Sequence, residues 1–187
     1  MMTTKSLLPV LLVPALILLI PAGAMLFKAE GWAWDAGSFV FAWILMAGVG
    51  LAYRFVTSKA GVPAYRLATG IALAAGFILL WINAAVGLIG SEDNPANLMY
   101  GGVLAVGAVG AMMARWKPLG MARALAATAF AQFMVPIVAF IINRPDFSPG
   151  VAKVVGLNFF FVLLFAASAC LYRHAARDHI GDALVAS

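Results

Sequence analysis

Long runs of apolar residues alternate with short polar segments along the whole chain. Six runs reach 18 residues or more, which is long enough for a membrane-spanning helix. Each run would be apolar on every face of a helix, whereas the strands of a membrane barrel alternate between apolar and polar residues. The pattern predicts an all-α polytopic membrane protein, a bundle of six transmembrane helices forming one domain over residues 1–187. The predicted helices are Ser6–Phe27, Ser38–Val56, Leu67–Ile89, Asn97–Ala114, Gly120–Ile142 and Gly150–Tyr172.

Composition supports the same class of protein. Hydrophobic residues make up 65% of the chain and charged residues 10%, whereas soluble domains carry about 25% charged residues. The formal charge of +5 does not indicate a nucleic-acid partner, because the basic residues are spread over the ends of the apolar runs. The single cysteine, Cys170, excludes an internal disulfide and a cysteine-cluster metal site.

The distribution of lysine and arginine predicts the orientation in the membrane. Nine of the twelve fall on one side of the six predicted helices, and the positive-inside rule places that side in the cytoplasm. Both termini are then cytoplasmic. The segment Ala22-Gly23-Ala24 resembles a signal-peptide cleavage site, and cleavage there would leave five spans in the same orientation. The nine residues are Lys5, Arg54, Lys59, Arg66, Arg115, Lys117, Arg123, Arg173 and Arg177.

One abruptly polar segment connects the third and fourth predicted helices on the predicted outer side. Asn94 is a favourable N-cap residue and Pro95 fits the first helical position, so together they predict a helix start. Glu92 and Asp93 suit the positive end of that helix dipole. Their alternative interpretation is an acidic outer mouth that attracts cations, or a docking surface for a partner.

Three amide side chains lie inside predicted membrane helices: Asn83, Gln132 and Asn158. An unpaired amide is costly in lipid, so each is expected to face another helix. Each either forms an interhelical hydrogen bond or lines a path for a solute. If the three converge, they predict a polar cavity within the membrane.

No catalytic residue, metal ligand set or cofactor site is predicted. No ionisable side chain lies deep in a predicted helix, which argues against a proton-coupled pump. The two histidines, His174 and His179, fall in the predicted cytoplasmic tail. Nucleophile and phosphate-loop signatures are absent. Whether the protein is an enzyme stays open, with the expectation that it is not.

The sequence resembles a family of bacterial inner-membrane proteins of about this length to which no activity is assigned. The most specific matching pattern is W-I-N-x-A-V-G-x-I-G-x-E-D-N-P-A-N-L-M-Y over Trp81–Tyr100. The resemblance implies a multi-pass helical bundle in the bacterial plasma membrane, and it implies no catalytic residue. The other matching segments are Ala64-Tyr65-Arg66, Gly120–Leu125 and Ala131-Gln132.

Three functions are compatible with these features. The first is a non-enzymatic accessory or assembly subunit of a membrane complex, since the chain is small, its loops are short and its helices lack buried charge. The alternative is a small channel or carrier for a neutral or weakly charged solute. A membrane enzyme acting on lipid or quinone is the third. The expected partners are the lipid bilayer and either another membrane protein or further copies of this chain, with no nucleic acid.

Overall fold

The computed structural model describes residues 4–30, 32–58, 62–91, 93–143 and 150–185. The described residues contain helices and irregular segments but no strand. Six helices are long and apolar enough to cross a membrane, so the prediction of an all-α chain with six such helices is confirmed. They are α1 (Thr4–Leu26), α2 (Ala36–Thr57), α3 (Pro63–Ala85), α4 (Leu98–Met113), α5 (Pro118–Asn143) and α6 (Val151–Val185). The span of α4 is counted from Pro95, because a short 3₁₀ helix runs directly into it.

The end of α3 differs from its predicted boundary, and the difference bears on the connection to α4. The helix was expected to continue to Ile89, but it ends at Ala85. Gly87 adopts a left-handed conformation, with φ of 69°, and the backbone N–H groups of Leu88 and Ile89 donate to the side chain of Asn97 instead of to α3. The largest difference is in α6, which continues thirteen residues past its predicted end, from Tyr172 to Val185.

The chain divides into two compact units, and the first comprises residues 1–55. In it, α1 is one helix although it contains three prolines. The indole N–H of Trp43 donates to the carbonyl of Leu11 at 3.2 Å. A Cβ on Gly50 would lie 2.9 Å from a methyl carbon of Val10. This glycine therefore permits the close approach of α1 and α2.

The second unit, residues 56–187, contains a four-helix bundle. In this bundle α6 packs along both α3 and α5, α4 packs along α5, and α4 also touches α3. Small residues set the spacing of α4 and α5: a Cβ on Gly110 would lie 2.8 Å from the Cβ of Ala124. Close backbone approach of this kind is typical of membrane helix pairs.

At the end of the bundle where α4 turns into α5, hereafter the turn end, hydroxyl groups connect the helices. The Tyr65 hydroxyl donates to the carbonyl of Trp116 at 2.7 Å, which fixes α3 against the turn. The hydroxyls of Thr69 and Tyr172 lie 2.8 Å apart and join α3 to α6. The opposite end, where α3 ends and α4 and α6 begin, is hereafter the loop end.

Candidate functional site: a buried amide cluster and an ordered loop

Three polar side chains from three helices meet inside the second unit. Tyr100 of α4, Gln132 of α5 and Asn158 of α6 are 1%, 0% and 1% exposed. The Gln132 side chain donates from Nε2 to Oδ1 of Asn158 at 2.9 Å, and the Tyr100 hydroxyl donates to the same oxygen at 3.1 Å. The sequence predicted Gln132 and Asn158 as inward-facing amides, and the structure brings these two together. We call these three residues the amide cluster.

The hydrogen-bonding positions of the Asn158 side chain are all used. Its Nδ2 donates to the Tyr100 hydroxyl at 3.0 Å and to the backbone carbonyl of Val154 at 2.8 Å. Its Oδ1 accepts from Gln132 and Tyr100. An asparagine amide offers two donors and one oxygen with two lone pairs, so Asn158 has no unused position for a further ligand.

Gln132 is the member of the cluster with an unused position. Its Oε1 is buried and has no hydrogen-bond partner among the described residues. Pro136 lies one turn further along α5 and has no N–H to donate to the Gln132 backbone carbonyl. Pro136 therefore leaves the backbone carbonyl of Gln132 without the N–H that would normally donate to it in a helix. The side-chain oxygen of the same residue also lacks a donor among the described residues.

Asn83 does not join the amide cluster through any hydrogen bond among the described residues. Its Nδ2 donates to the backbone carbonyl of Asn97 at 3.2 Å, which ties the last turn of α3 to the start of α4. Its Oδ1 is buried without a partner in the described part of the chain. Convergence of the three amides was expected to form a single polar cavity. Instead, Gln132 bonds Asn158, whereas Asn83 bonds Asn97.

Asn97 organises the connection between α3 and α4. Its Oδ1 accepts from the backbone N–H groups of Leu88 and Ile89 at 3.1 and 3.0 Å. Its Nδ2 donates to the carbonyls of Ile89 and Ser91 at 3.2 and 2.7 Å. Leu88 and Ile89 are 3% and 0% exposed, so this connection folds inward as a packed loop. Residues 86–97 are called the Asn97 loop below.

Glycine is required at one position of this loop for two reasons. Gly87 has φ of 69°, a conformation that L side chains rarely adopt. A Cβ at Gly87 would also lie 2.5 Å from the carbonyl oxygen of Ser91 and 2.7 Å from Nδ2 of Asn97. Any side chain at this position would push the Asn97 amide out of its place.

The residues predicted as a cap and an acidic mouth lie in the second half of the Asn97 loop. The Asn94 side chain accepts from the backbone N–H of Ala96 at 2.9 Å. Pro95 is the first residue of a short 3₁₀ helix, Pro95–Asn97, that runs into α4. Asp93 is exposed, and Glu92 lies outside the described residues. The structure thus gives Asn94 and Pro95 a local role and presents Asp93 to the surroundings.

A groove of about 360 Å³ lies between α5 and α6 towards the loop end. Its walls are apolar and rich in aromatic rings, and Asn158 of the amide cluster is the only polar residue among the described residues that line it. The walls include Phe133, Pro136, Ile137 and Phe140 of α5 and Val155 and Phe159 of α6. We call this the α5–α6 groove.

The chemistry available to these groups is binding and positioning. Carboxamides neither accept nor release protons near neutral pH, so Gln132 and Asn158 offer hydrogen bonds without acid–base chemistry. Among the described residues no three His, Cys, Asp or Glu side chains lie close enough to hold a metal ion. His174 lies 3.7 Å from Asp178, one turn along the exposed part of α6, and the side chain of His179 is outside the described set.

Tyr100 and Asn97 are the two residues that the sequence did not single out for these roles. Tyr100 looks like an interfacial aromatic at a helix start, and no local signal shows that it meets α6. Asn97 had a weak signal: two glycines, Gly87 and Gly90, bracket the apolar pair that the loop buries. An apolar pair between glycines at the end of a helix indicates a tight turn folded inward.

The chain has no match among the models of protein families, the curated proteins or the solved structures. The resemblance noted for residues 81–100 therefore stays a prediction.

Proposed function

We propose that the protein is a multi-pass protein of the bacterial plasma membrane, with both termini cytoplasmic, that serves as a non-enzymatic accessory or assembly subunit of a membrane complex. The observation that supports this is the use of its internal polar groups. Asn158 is saturated by Tyr100, Gln132 and Val154, and Thr69 is bonded to Tyr172. These groups hold the helices of the bundle together.

The Asn97 loop is the surface that we assign to the partner. Its backbone is held by four hydrogen bonds to one buried amide, so it presents a preorganised surface at low entropic cost. Asp93 is exposed on it, and the sequence places a second carboxylate, Glu92, beside it. A basic patch on a neighbouring membrane protein is the complementary partner.

The test is affinity purification of the tagged protein from its native membrane in mild detergent, followed by mass spectrometry. We expect a stoichiometric membrane partner, and we expect its recovery to fall at least tenfold for the double variant Glu92→Gln/Asp93→Asn. Asp178→Asn, a single neutralisation on α6 far along the chain from the loop, is the control and should recover the partner as the wild type does. Recovery of the protein alone, or only with further copies of itself, would overturn the proposal.

A small channel or carrier for a neutral solute is the second candidate, and one observation favours it. Asn83 Oδ1 and Gln132 Oε1 are buried acceptors without partners among the described residues, and an unpaired buried acceptor is an open position for a donor-bearing solute. Swelling of proteoliposomes in glycerol and in urea measures the flux. Asn83→Leu and Gln132→Leu should each reduce flux, whereas wild-type protein with no flux above empty liposomes would exclude this function for these solutes.

A further inference from the structure

Six basic side chains gather at the turn end of the bundle, and the proposed subunit function does not use them. All six are exposed and all belong to the second unit. Among the side chains that the structure describes at this end, Asp178 is the one carboxylate, and it lies 3.7 Å from His174. We call the six residues the basic cluster: Arg66, Arg115, Lys117, Arg123, Arg173 and Arg177.

Contacts between three aromatic residues hold four of these side chains near one another. The Tyr65 hydroxyl donates to the carbonyl of Trp116 at 2.7 Å. The ring of Tyr65 also packs edge to face on that of Tyr172, with the ring centroids 4.9 Å apart. Each of the three has an exposed basic residue beside it in the chain, so these contacts bring together charges from α3, from the α4–α5 turn and from α6. The four neighbours are Arg66, Arg115, Lys117 and Arg173.

An anion is the class of ligand that such a cluster favours. Like charges held close together repel one another, and a nearby negative charge removes this cost. Five of the six side chains are arginines. A guanidinium group presents several N–H donors in one plane and matches the oxygens of a phosphate two at a time. The composition of the cluster therefore indicates a phosphate group.

The depth of the charges along the helices identifies the source of that phosphate. Arg123 lies five residues after the start of the apolar span Pro118–Ile142, and Arg173 lies five residues before the end of the span Val151–Asp178. At about 1.5 Å per residue, both lie roughly 8 Å inside these spans. Long basic side chains at such positions extend towards the headgroup layer of the bilayer. A soluble protein or a nucleic acid would have to enter that layer to reach them, whereas lipid phosphates already lie there.

We propose that the basic cluster binds the headgroup phosphate of an anionic phospholipid of the phosphatidylglycerol type. Basic pockets between membrane helices are known to hold anionic headgroups in this way. The inference rests on the membrane location in the proposed function. It depends neither on the cytoplasmic orientation of the turn end nor on the existence of a protein partner.

The experiment is native mass spectrometry of the full-length protein in mild detergent. Phosphatidylglycerol and phosphatidylethanolamine with identical acyl chains are supplied in equal amounts, and we expect the wild type to bind phosphatidylglycerol in preference. Arg173→Gln should lower this preference about fivefold, the contribution of one basic residue near an anionic surface. The triple variant Arg66→Gln/Arg115→Gln/Arg173→Gln should lower it further. Lys153→Gln, a single neutralisation at an exposed position of the loop end, is the matched control and should keep the wild-type preference.

Two further variants separate loss of charge from loss of the fold. Arg66→Lys/Arg115→Lys/Arg173→Lys keeps the three charges and should keep most of the preference. The variant Lys117→Gln/Arg123→Gln/Arg177→Gln removes the other three charges and should also lower it. This second set provides an independent measurement if the first triple variant does not elute as a folded protein in size-exclusion chromatography.

Equal binding of the two lipids by the wild type would overturn the proposal, and so would an equal loss of preference in Lys153→Gln. Displacement of the lipid by excess glycerol phosphate would show that the cluster binds soluble phosphate instead. Recovery of an acidic protein that the first triple variant loses would assign this surface to protein docking. Because the lipid preference is measured on purified protein, it can be present when no membrane partner is recovered and absent when one is, so the two proposals fail separately.

Discussion

Removal of the Asn97 side chain tests the structure of the loop most directly. Four hydrogen bonds converge on this amide, two from backbone N–H groups and two to backbone carbonyls. Asn97 is 4% exposed. Asn97→Ala removes all four hydrogen bonds at once, without any change of charge and without any change to the apolar residues that pack around the loop.

The expected loss of stability depends on whether water can reach each backbone group that loses its hydrogen bond to Asn97. A hydrogen bond in a folded protein contributes about 1 kcal/mol net, and an orphaned buried group costs about 1–3 kcal/mol. The carbonyl of Ser91 regains water because Ser91 is exposed. The other three groups belong to Leu88 and Ile89, which are buried. Three losses at about 1 kcal/mol each give about 3 kcal/mol.

The assay is reversible unfolding in mixed micelles, followed by the helical circular dichroism signal. Asn94→Ala is the matched control, because the side chain of this asparagine of the same loop accepts one hydrogen bond among the described residues, from the N–H of Ala96, and its loss should cost about 1 kcal/mol. Hydrogen exchange gives a second measurement. The amides of Leu88 and Ile89 should lose their protection in Asn97→Ala and keep it in Asn94→Ala.

Two results would refute this reasoning about Asn97. One is a free energy of unfolding that falls no further in Asn97→Ala than in Asn94→Ala. The other is unchanged protection of the amides of Leu88 and Ile89. Either result would mean that the loop keeps its conformation through its apolar packing and the conformation of Gly87, and that the four hydrogen bonds are a consequence of the fold.

Three further predictions concern packing, a cap and topology. Gly110→Ala places a methyl group against Ala124 and should lower the free energy of unfolding by about 1–3 kcal/mol, whereas Gly102→Ala meets open space and should not destabilise the protein. The hydrogen bonds from Ser38 to the Asp35 carboxylate hold its pKa below the ordinary 3.8, so the stabilisation is complete above pH 3.8 and is lost below it; carboxyl NMR should show the pKa rising towards 3.8 in Ser38→Ala. A fluorescent reporter fused after residue 187 should fold in the cytoplasm, and an active periplasmic reporter there would contradict the proposed orientation.

The six helices were predictable because their signal is local. Each apolar run must satisfy its own backbone groups in a bilayer, and a helix does so regardless of what packs beside it. The end of α3 was not predictable in this way. Val86–Ile89 is as apolar as the helix before it, and the chain leaves the helix because Asn97, eight residues after Ile89, accepts the N–H groups of Leu88 and Ile89.

The candidate site was predictable only in part, for a related reason. A lone amide in an apolar helix has to face protein, so the inward orientation of Gln132 and Asn158 follows from the sequence. Which amides meet depends on the order and rotation of helices around the bundle. Asn83 lies on α3 near the loop end and bonds Asn97, whereas Tyr100 supplies the third member of the amide cluster from α4.

The amide cluster also allows stability to be separated from function. Replacing Asn158 alone by leucine leaves the Gln132 amide and the Tyr100 hydroxyl without their shared partner, and should cost about 2–3 kcal/mol. The triple variant Tyr100→Phe/Gln132→Leu/Asn158→Leu leaves no polar side chain of the cluster behind, and should recover most of that loss, since apolar replacement of all partners is nearly neutral. Unfolding in mixed micelles measures both variants. If the triple variant is as unstable as Asn158→Leu, the cluster is a structural requirement of this bundle. If the triple variant regains stability but co-purifies with less of the membrane partner, the amides serve the function of the protein. Leucine at these positions would then support folding equally well.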